Sequence, residues 1–273
     1  MPEGDTVWRQ ARDLRVVLEG QELLSSDFRV PAHATLNLAG ALVSRVESRG
    51  KHLLMFVGGQ VIHSHLSMEG HWDIYPVAAN GRPAKWRRPA FTARAVLQTK
   101  LGTAVGFSLG MLEVLQEALV ADAVGHLGPD LLGPGWDQDE ALRRLLANPG
   151  RAIGLALLDQ RNLAGIGNIY RNELCFLSRV HPSTAVEGVP DLPRMVALAK
   201  RLLEVNKDRS QRSTTGGPAR GEAASWVYGL AGKPCKRCGA LIRHAKLPDP
   251  AFPTRAARDI YWCPRCQPLP LKG

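Results

Sequence analysis

Asp159-Gln160-Arg161-Asn162-Leu163-Ala164-Gly165-Ile166-Gly167-Asn168-Ile169-Tyr170-Arg171-Asn172-Glu173 is a run of fifteen residues broken at its centre by Gly-Ile-Gly. It joins two stretches with helical texture, read at Leu155–Leu158 and Ile169–Leu177. The two glycines permit tight backbone turns. Asn168 falls near the start of the second stretch, where free backbone N–H groups and the helix dipole favour an anion. Two readings follow from these residues alone. One is a structural corner between helices. The other is a hairpin of helices that grips a phosphate.

Towards the C-terminus, Pro190–Asn206 reads as a long amphipathic helix, and Ser213–Gly221 as a mobile loop rich in Gly, Ser and Thr. Two Cys-x-x-Cys knuckles follow, Cys235-Lys-Arg-Cys238 and Cys263-Pro-Arg-Cys266, separated by 24 residues. Four thiolates complete a closed tetrahedral shell, the pattern of one structural Zn²⁺. Disulfides compete for the same cysteines, but the chain begins without a basic and apolar leader, so a reducing, cytoplasmic setting is expected. His244 is a spare imidazole for which four cysteines leave no vacancy. The lone Cys175 lies among apolar neighbours and reads as a small core residue.

Charge is concentrated in the same region. The 273-residue chain carries +10, and residues 216–273 hold ten Lys/Arg against three Asp/Glu. A basic segment organised by cysteines, with Arg255, Arg258 and Arg265 on its hairpin, points to a polyanion, most simply nucleic acid. No apolar run reaches the ~18 residues of a membrane span.

Towards the N-terminus the texture changes. Gly133-Pro134-Gly135 reads as part of a linker, with helices on either side at Met111–Val120 and Asp139–Ala147. Between Gln21 and Phe107, strands are expected at Leu42–Val46, His52–Val57, Val61–His65, Trp72–Tyr75, Phe91–Leu97 and Ala104–Phe107. Gly58-Gly59 marks a hairpin, and Ala78–Pro89 a basic loop. Asp5 and Thr6 can cap a first helix running to about Glu19, with Gly20 as its stop. Before that helix stand Met1-Pro2-Glu3. Removal of Met1 would expose the secondary amine of Pro2 beside a carboxylate. An α-amino group titrates near pH ~7.7–8, so it is a usable nucleophile at neutral pH. A Met-Pro start is also a plain processing signal.

The combination is specific. An N-terminal Pro-Glu-Gly, the Gly50-Lys51-His52 turn before a strand, the segment around Asn168 and a four-cysteine ribbon occur in this order. Trp226-Val-Tyr-Gly, Gly232-Lys-Pro-Cys235 and Tyr261-Trp-Cys-Pro264 add to it. Across essentially the whole chain the set resembles the Fpg/Nei family of bifunctional DNA glycosylases, nearest to actinobacterial Nei-like enzymes. The resemblance implies an α+β, two-domain fold. A leading helix and an antiparallel β-sandwich would occupy residues 1–120, with a linker over 121–136. A helical domain with a helix–two-turn–helix motif (about 157–173) would span 137–221, and a zinc-finger β-hairpin 222–273.

The resemblance also assigns roles. Pro2 would attack C1′ of the damaged nucleotide, Glu3 would act as acid/base, and Lys51 would approach a DNA phosphate and assist. Asn168 and Arg258 would hold phosphates. Met68, in Ser67-Met68-Glu69-Gly70, lies where the family places a side chain that fills the void left by a flipped base; a core methionine is the alternative. Damaged duplex DNA would be the partner, with single strands or bubbles also admitted, and the protein would be monomeric. Thr6 departs from the family, which often has a second carboxylate there. Gln98–Thr103 is short and carries no Arg-Arg-Phe-type loop. That favours oxidised pyrimidines over 8-oxoguanine as substrate. A binding protein that keeps the grip but has lost the chemistry is the contrasting class, against which Pro2, Glu3 and Lys51 stand intact.

Overall fold

The computed structural model describes residues 2–77, 85–217, 224–254 and 256–269. Its first helix, α1 (Gly4–Leu18), follows Glu3 directly. Glu3 itself is the extended N-cap residue; Asp5 and Thr6, expected at the cap, lie inside the first turn. Val7, Ala11, Leu14 and Leu18 recur at helical spacing and are buried, each larger side chain contributing roughly 1.5–3 kcal/mol. The helix stops at Gly20, which takes φ +75°, as expected.

Two antiparallel four-stranded sheets pack with α1. The first sheet runs β2-β3-β4-β8, built from β2 (Val43–Arg49), β3 (His52–Val57), β4 (Gln60–His65) and β8 (Met111–Gln116). The second runs β1-β6-β7-β5, from β1 (Ser25–Phe28), β5 (His71–Tyr75), β6 (Ala93–Gln98) and β7 (Thr103–Phe107). Gly58 and Gly59, both at positive φ, close the β3–β4 hairpin. The strand β1 was not anticipated: Ser-Ser-Asp-Phe carries little β signal, and its pairing with β6 holds it in place.

Met111–Val120 corrects the sequence reading. Its apolar spacing suits a helix, but Met111–Gln116 pairs with β4 along its whole length. Backbone donors on β4 are satisfied that way, and tertiary pairing overrides local propensity. Helix begins only afterwards, with a 3₁₀ turn (Glu117–Leu119) followed by α2 (Val120–Val124).

The chain divides between His126 and Leu127 into two units. In the second, α3 (Gln138–Leu146), α4 (Ile153–Ala156), α5 (Asn168–Leu177) and α6 (Leu192–Asn206) surround a core that includes Leu145, Ile153, Tyr170, Leu174, Met195 and Leu203. The turn Gly133-Pro134-Gly135 belongs to this unit, where Gly133 N–H donates to the Asp130 carbonyl at 3.0 Å. The hairpin of β9 (Arg243–Leu247) and β10 (Arg258–Trp262) carries the cysteine knuckles at its base. The expected mobile loop starts fixed: Ser213 exchanges hydrogen bonds with Asn206, and Thr214 N–H donates to the Ala224 carbonyl. Its remainder from residue 218 lies outside the described residues, as do 78–84 of the basic loop and Arg255.

Candidate active site

Pro2 is half-buried and immediately precedes Glu3, which is completely buried. The Glu3 carbonyl accepts from Thr6 and Val7 N–H at 2.9 and 3.1 Å, so these residues are locked to the first turn of α1. Asp5, also buried, accepts from the Thr6 N–H at 2.8 Å and from the Thr6 hydroxyl at 3.3 Å. Where a second carboxylate was missed at position 6, a buried one stands at position 5, with Thr6 donating to it.

Three ties hold α1 against the strands. Gln10 accepts from Trp72 N–H at 3.0 Å, and its amide lies 2.6 Å from His71 Nδ1. Arg15 donates to the Val46 carbonyl at 2.6 Å, while Glu19 accepts from Val46 N–H at 2.9 Å. The last two grip β2, the strand that ends at the Gly50-Lys51 turn. Gly50 has φ +58°, the position that a II′ hairpin reserves for glycine. The helix that presents Pro2 and the strand that presents Lys51 are thus fastened to each other.

Lys51 is half-buried beside three histidines. His52 Nδ1 lies 2.8 Å from His63 Nε2, and the His52 and His65 rings are 5.2 Å apart. Burial, then the charges of His63 and His65, push His52 down to about 3, and burial lowers His63 and His65 as well. At neutral pH the cluster is uncharged, so Lys51 carries the local positive charge. The expected residue Met68 is 63% exposed, which rules out the core-methionine alternative. It follows Ser67, held at φ +55°. The Gln98–Thr103 segment is a tight hairpin turn, its Thr99 hydroxyl donating to the Val17 carbonyl at 2.7 Å.

In the second unit, Asn168 is the first residue of α5. Its amide donates to the Asp259 carbonyl at 3.2 Å and its oxygen accepts from Arg171. Arg171, at 2.8 Å, and Asn172, at 3.4 Å, donate to that same carbonyl, and Tyr261 N–H donates back to Asn172 at 2.8 Å. One carbonyl on β10 therefore binds the N-terminus of α5 to the hairpin, and it belongs to the residue after Arg258. The Arg258 side chain is exposed and makes no hydrogen bond or ion pair among the described residues. Nearby, Arg151 bridges Asp159 and Asp249, both at 2.8 Å, joining the helix–turn–helix to the loop between β9 and β10. Burial opposes ionisation of Asp159, but hydrogen bonds from Arg161 and Arg151 outweigh it and hold its carboxyl below the usual range.

Sequence reasoning passed over the next residue but one. Glu173 is fully buried and its carboxylate accepts from the N–H groups of Trp226, Val227 and Tyr228 at 2.7, 2.9 and 2.9 Å, and from the Thr214 hydroxyl. The available signal was the polar triplet Arg171-Asn172-Glu173 inside an otherwise apolar helix.

The four knuckle cysteines converge, their sulfurs all within 4.8 Å of one another. The Cys238–Cys263 and Cys235–Cys266 pairs are 3.4 and 4.0 Å apart, too long for disulfides. Four sulfurs about 2.3 Å from a central metal would stand about 3.8 Å apart, so the cluster suits a metal ion. Arg237 and Cys266 N–H groups point at the sulfurs of Cys235 and Cys263, both at 3.4 Å. His244 is not part of the cluster; its Nε2 pairs with Asp259 at 2.9 Å. Cys175 is buried in the helical core, which pushes its thiol up to about 12.

Residues 1–108 match the profile of the formamidopyrimidine-DNA glycosylase N-terminal domain, and 127–211 that of the formamidopyrimidine-DNA glycosylase H2TH domain. The chain is 50% identical over 279 residues to the probable endonuclease 8 2 of Streptomyces coelicolor, covering all of this chain and 97% of that one. It is 46% identical over 267 residues to the DNA-(apurinic or apyrimidinic site) lyase Nei2 of Mycolicibacterium smegmatis, covering 98% and 99%. Among solved structures, the Lactococcus lactis Fpg in complex with abasic-site DNA superposes with a TM-score of 0.78 at 23% identity, over 98% of this chain and 100% of that one. MutM bound to DNA containing carbocyclic 8-oxo-G gives 0.76 at 23% identity, with the same coverage. At that identity the two structures share the fold with this chain. No helix among the described residues is long and apolar enough to cross a membrane.

Proposed function

We infer from one premise, that this chain belongs to the Fpg/Nei family of DNA glycosylases on its endonuclease VIII branch, that Pro2 is its nucleophile. The protein is a base-excision-repair DNA glycosylase and abasic-site lyase. The observation that carries the role of Pro2 is its seat: it is held against the first turn of α1, with buried Glu3 as the N-cap. Freed of Met1, its amine would lie at the positive end of the helix dipole, which disfavours the ammonium form and leaves the lone pair available.

The nitrogen of Pro2 attacks C1′ of a flipped nucleotide. The C1′–base bond breaks and the base leaves with a proton. Glu3 delivers a proton to the ring oxygen as the sugar opens to an iminium. A secondary amine gives an iminium with no N–H to lose, so it stays cationic and acidifies C2′–H. Loss of that proton expels the 3′ phosphate, and a further elimination expels the 5′ phosphate. Lys51, kept as the local cation by three neutral histidines, faces a phosphate of the strand being cut. Exposed Met68 fills the gap in the stack. In the second unit, Asn168 and Arg258 hold phosphates. Cys235, Cys238, Cys263 and Cys266 would hold a structural Zn²⁺ that would fix the hairpin carrying Arg258. Damaged DNA is the partner, bound by a monomer in the cytoplasm.

Oxidised pyrimidines are the proposed substrates, because the Gln98–Thr103 turn is tight and offers no further wedge residues. Borohydride should trap a covalent adduct between the protein and DNA containing 5-hydroxyuracil, thymine glycol or an abasic site. Pro2 replacement should abolish it. An equal yield of adduct from the Pro2 variant would overturn the assignment. Faster excision of 8-oxoguanine than of any oxidised pyrimidine would overturn the substrate class alone.

A further inference from the structure

A second surface of the C-terminal unit lies apart from Asn168. At the far end of α5, against α6, is an open groove of 660 Å³. The helix has ten residues, so this groove is about 15 Å along the axis from Asn168. Its floor is apolar, with Val180, Val189 and Leu198. Its rim carries Arg179, Arg194 and Arg201, all exposed. None of these three guanidinium groups makes a hydrogen bond or ion pair among the described residues. Several other arginines are engaged: Arg15, Arg45, Arg88, Arg143 and Arg151 all pair. The one rim carboxylate, Asp191, is occupied as the N-cap of α6, accepting from Arg194 N–H at 3.0 Å.

Arg179 is unusual in its backbone as well. Helix α5 ends in a Schellman motif, with Val180 N–H donating to Cys175 and Arg179 N–H to Phe176. Arg179 sits at the position normally given to glycine, with φ +57°. Its strained backbone holds the side chain on the lining of the groove. Arg194 and Arg201 are seven residues apart on α6, two turns or about 10.5 Å, the reach of three extended residues. Cations at that spacing over an apolar floor match an extended chain whose acidic side chains stand three residues apart with apolar ones between. A nucleic-acid backbone would leave the floor unused.

We propose that this groove docks an extended acidic–apolar peptide segment of a partner protein, its carboxylates on Arg179, Arg194 and Arg201 and an apolar side chain on Val180, Val189 and Leu198. The test uses the full chain and fluorescein-labelled heptapeptides with Asp at positions one, four and seven and Leu between them, the same with Ser for Leu, or the same with Lys for Asp, read by anisotropy. The Asp/Leu peptide should bind, at least about tenfold tighter than Asp/Ser, with Lys/Leu silent. The Arg194→Gln/Arg201→Gln double variant should lose about tenfold or more of that affinity. Arg179→Gly should weaken it separately, while lesion cleavage stays at the parent rate in both. Three results would overturn the proposal. The first is no binding of Asp/Leu, or binding unchanged in the variants. The second is Asp/Ser binding as tightly as Asp/Leu, which describes a plain anion surface. The third is a matching loss of duplex-DNA affinity in the variants, which makes the groove part of the DNA surface.

Discussion

Replacing Glu173 by glutamine is expected to cost about 2–4 kcal/mol of stability in the C-terminal unit, although shape and volume are kept. The magnitude follows from the hydrogen bonds. One carboxylate oxygen accepts from Val227 and Tyr228 N–H at 2.9 Å each, the other from Trp226 N–H at 2.7 Å and from the Thr214 hydroxyl. An amide must aim its NH₂ at one of these pairs. Aimed at Trp226 and Thr214, it leaves one backbone donor without an acceptor, since the hydroxyl can rotate to accept. Aimed at the other pair, it strands two. A buried unsatisfied donor costs about 1–3 kcal/mol, and the surviving bonds lose their charge assistance, roughly another 1 kcal/mol. Urea denaturation followed by tryptophan fluorescence measures the total. Amide hydrogen exchange at Trp226, Val227 and Tyr228 measures the local part, which should accelerate by at least about tenfold for a loss of 2 kcal/mol. A cost below about 0.5 kcal/mol with unchanged exchange at these three amides would refute the role given to the carboxylate.

Acid should weaken the protein through its buried histidines. His52 is pushed down to about 3 and His181, by burial, to about 4, whereas in the unfolded chain both titrate near 6.5. The unfolded state therefore binds more protons below that pH, and stability is lost as pH falls from about 6.5 towards 3. The thermal midpoint should drop between pH 7 and 5, and drop less in His52→Gln; parallel profiles would count against this. Stripping the metal with a chelator should release one zinc per chain, read with a colorimetric indicator, and abolish binding to abasic-site duplex; retained binding by the stripped protein would count against the hairpin's role. Arg179→Gly should raise stability by about 0.5–1 kcal/mol, because a left-handed non-glycine residue costs about 1–2 kcal/mol and glycine's extra chain entropy returns part of it. A thermal shift to lower temperature would contradict that.

The sheets and long helices were legible because their residues obey the two periods, as in His52–Val57 and Leu192–Asn206. The four-cysteine cluster was legible because its ligands stand in two local Cys-x-x-Cys motifs. Met111–Gln116 was misread because its apolar spacing serves either element, and only β4 decides between them. The anchors of the site were hidden for a related reason. Glu173 binds amides more than fifty residues away, and Gln10 reaches His71 and Trp72 across some sixty. Nothing in the local pattern of either residue announces such a partner.

The Asp259 carbonyl receives donors from Asn168, Arg171 and Asn172 while its own residue follows Arg258 along β10. Two residues proposed to hold phosphates, ninety apart in the chain, are in this way brought next to one another on one hairpin. They behave as the jaws of one caliper with a fixed opening. Whatever shifts the hairpin, whether metal loss or a change in its turn, alters the spacing at which both jaws meet the backbone of the nucleic acid. Substitutions at Asn168 and at Arg258 are therefore expected to be non-additive. The first to be lost already spoils the gauge by which the second was set.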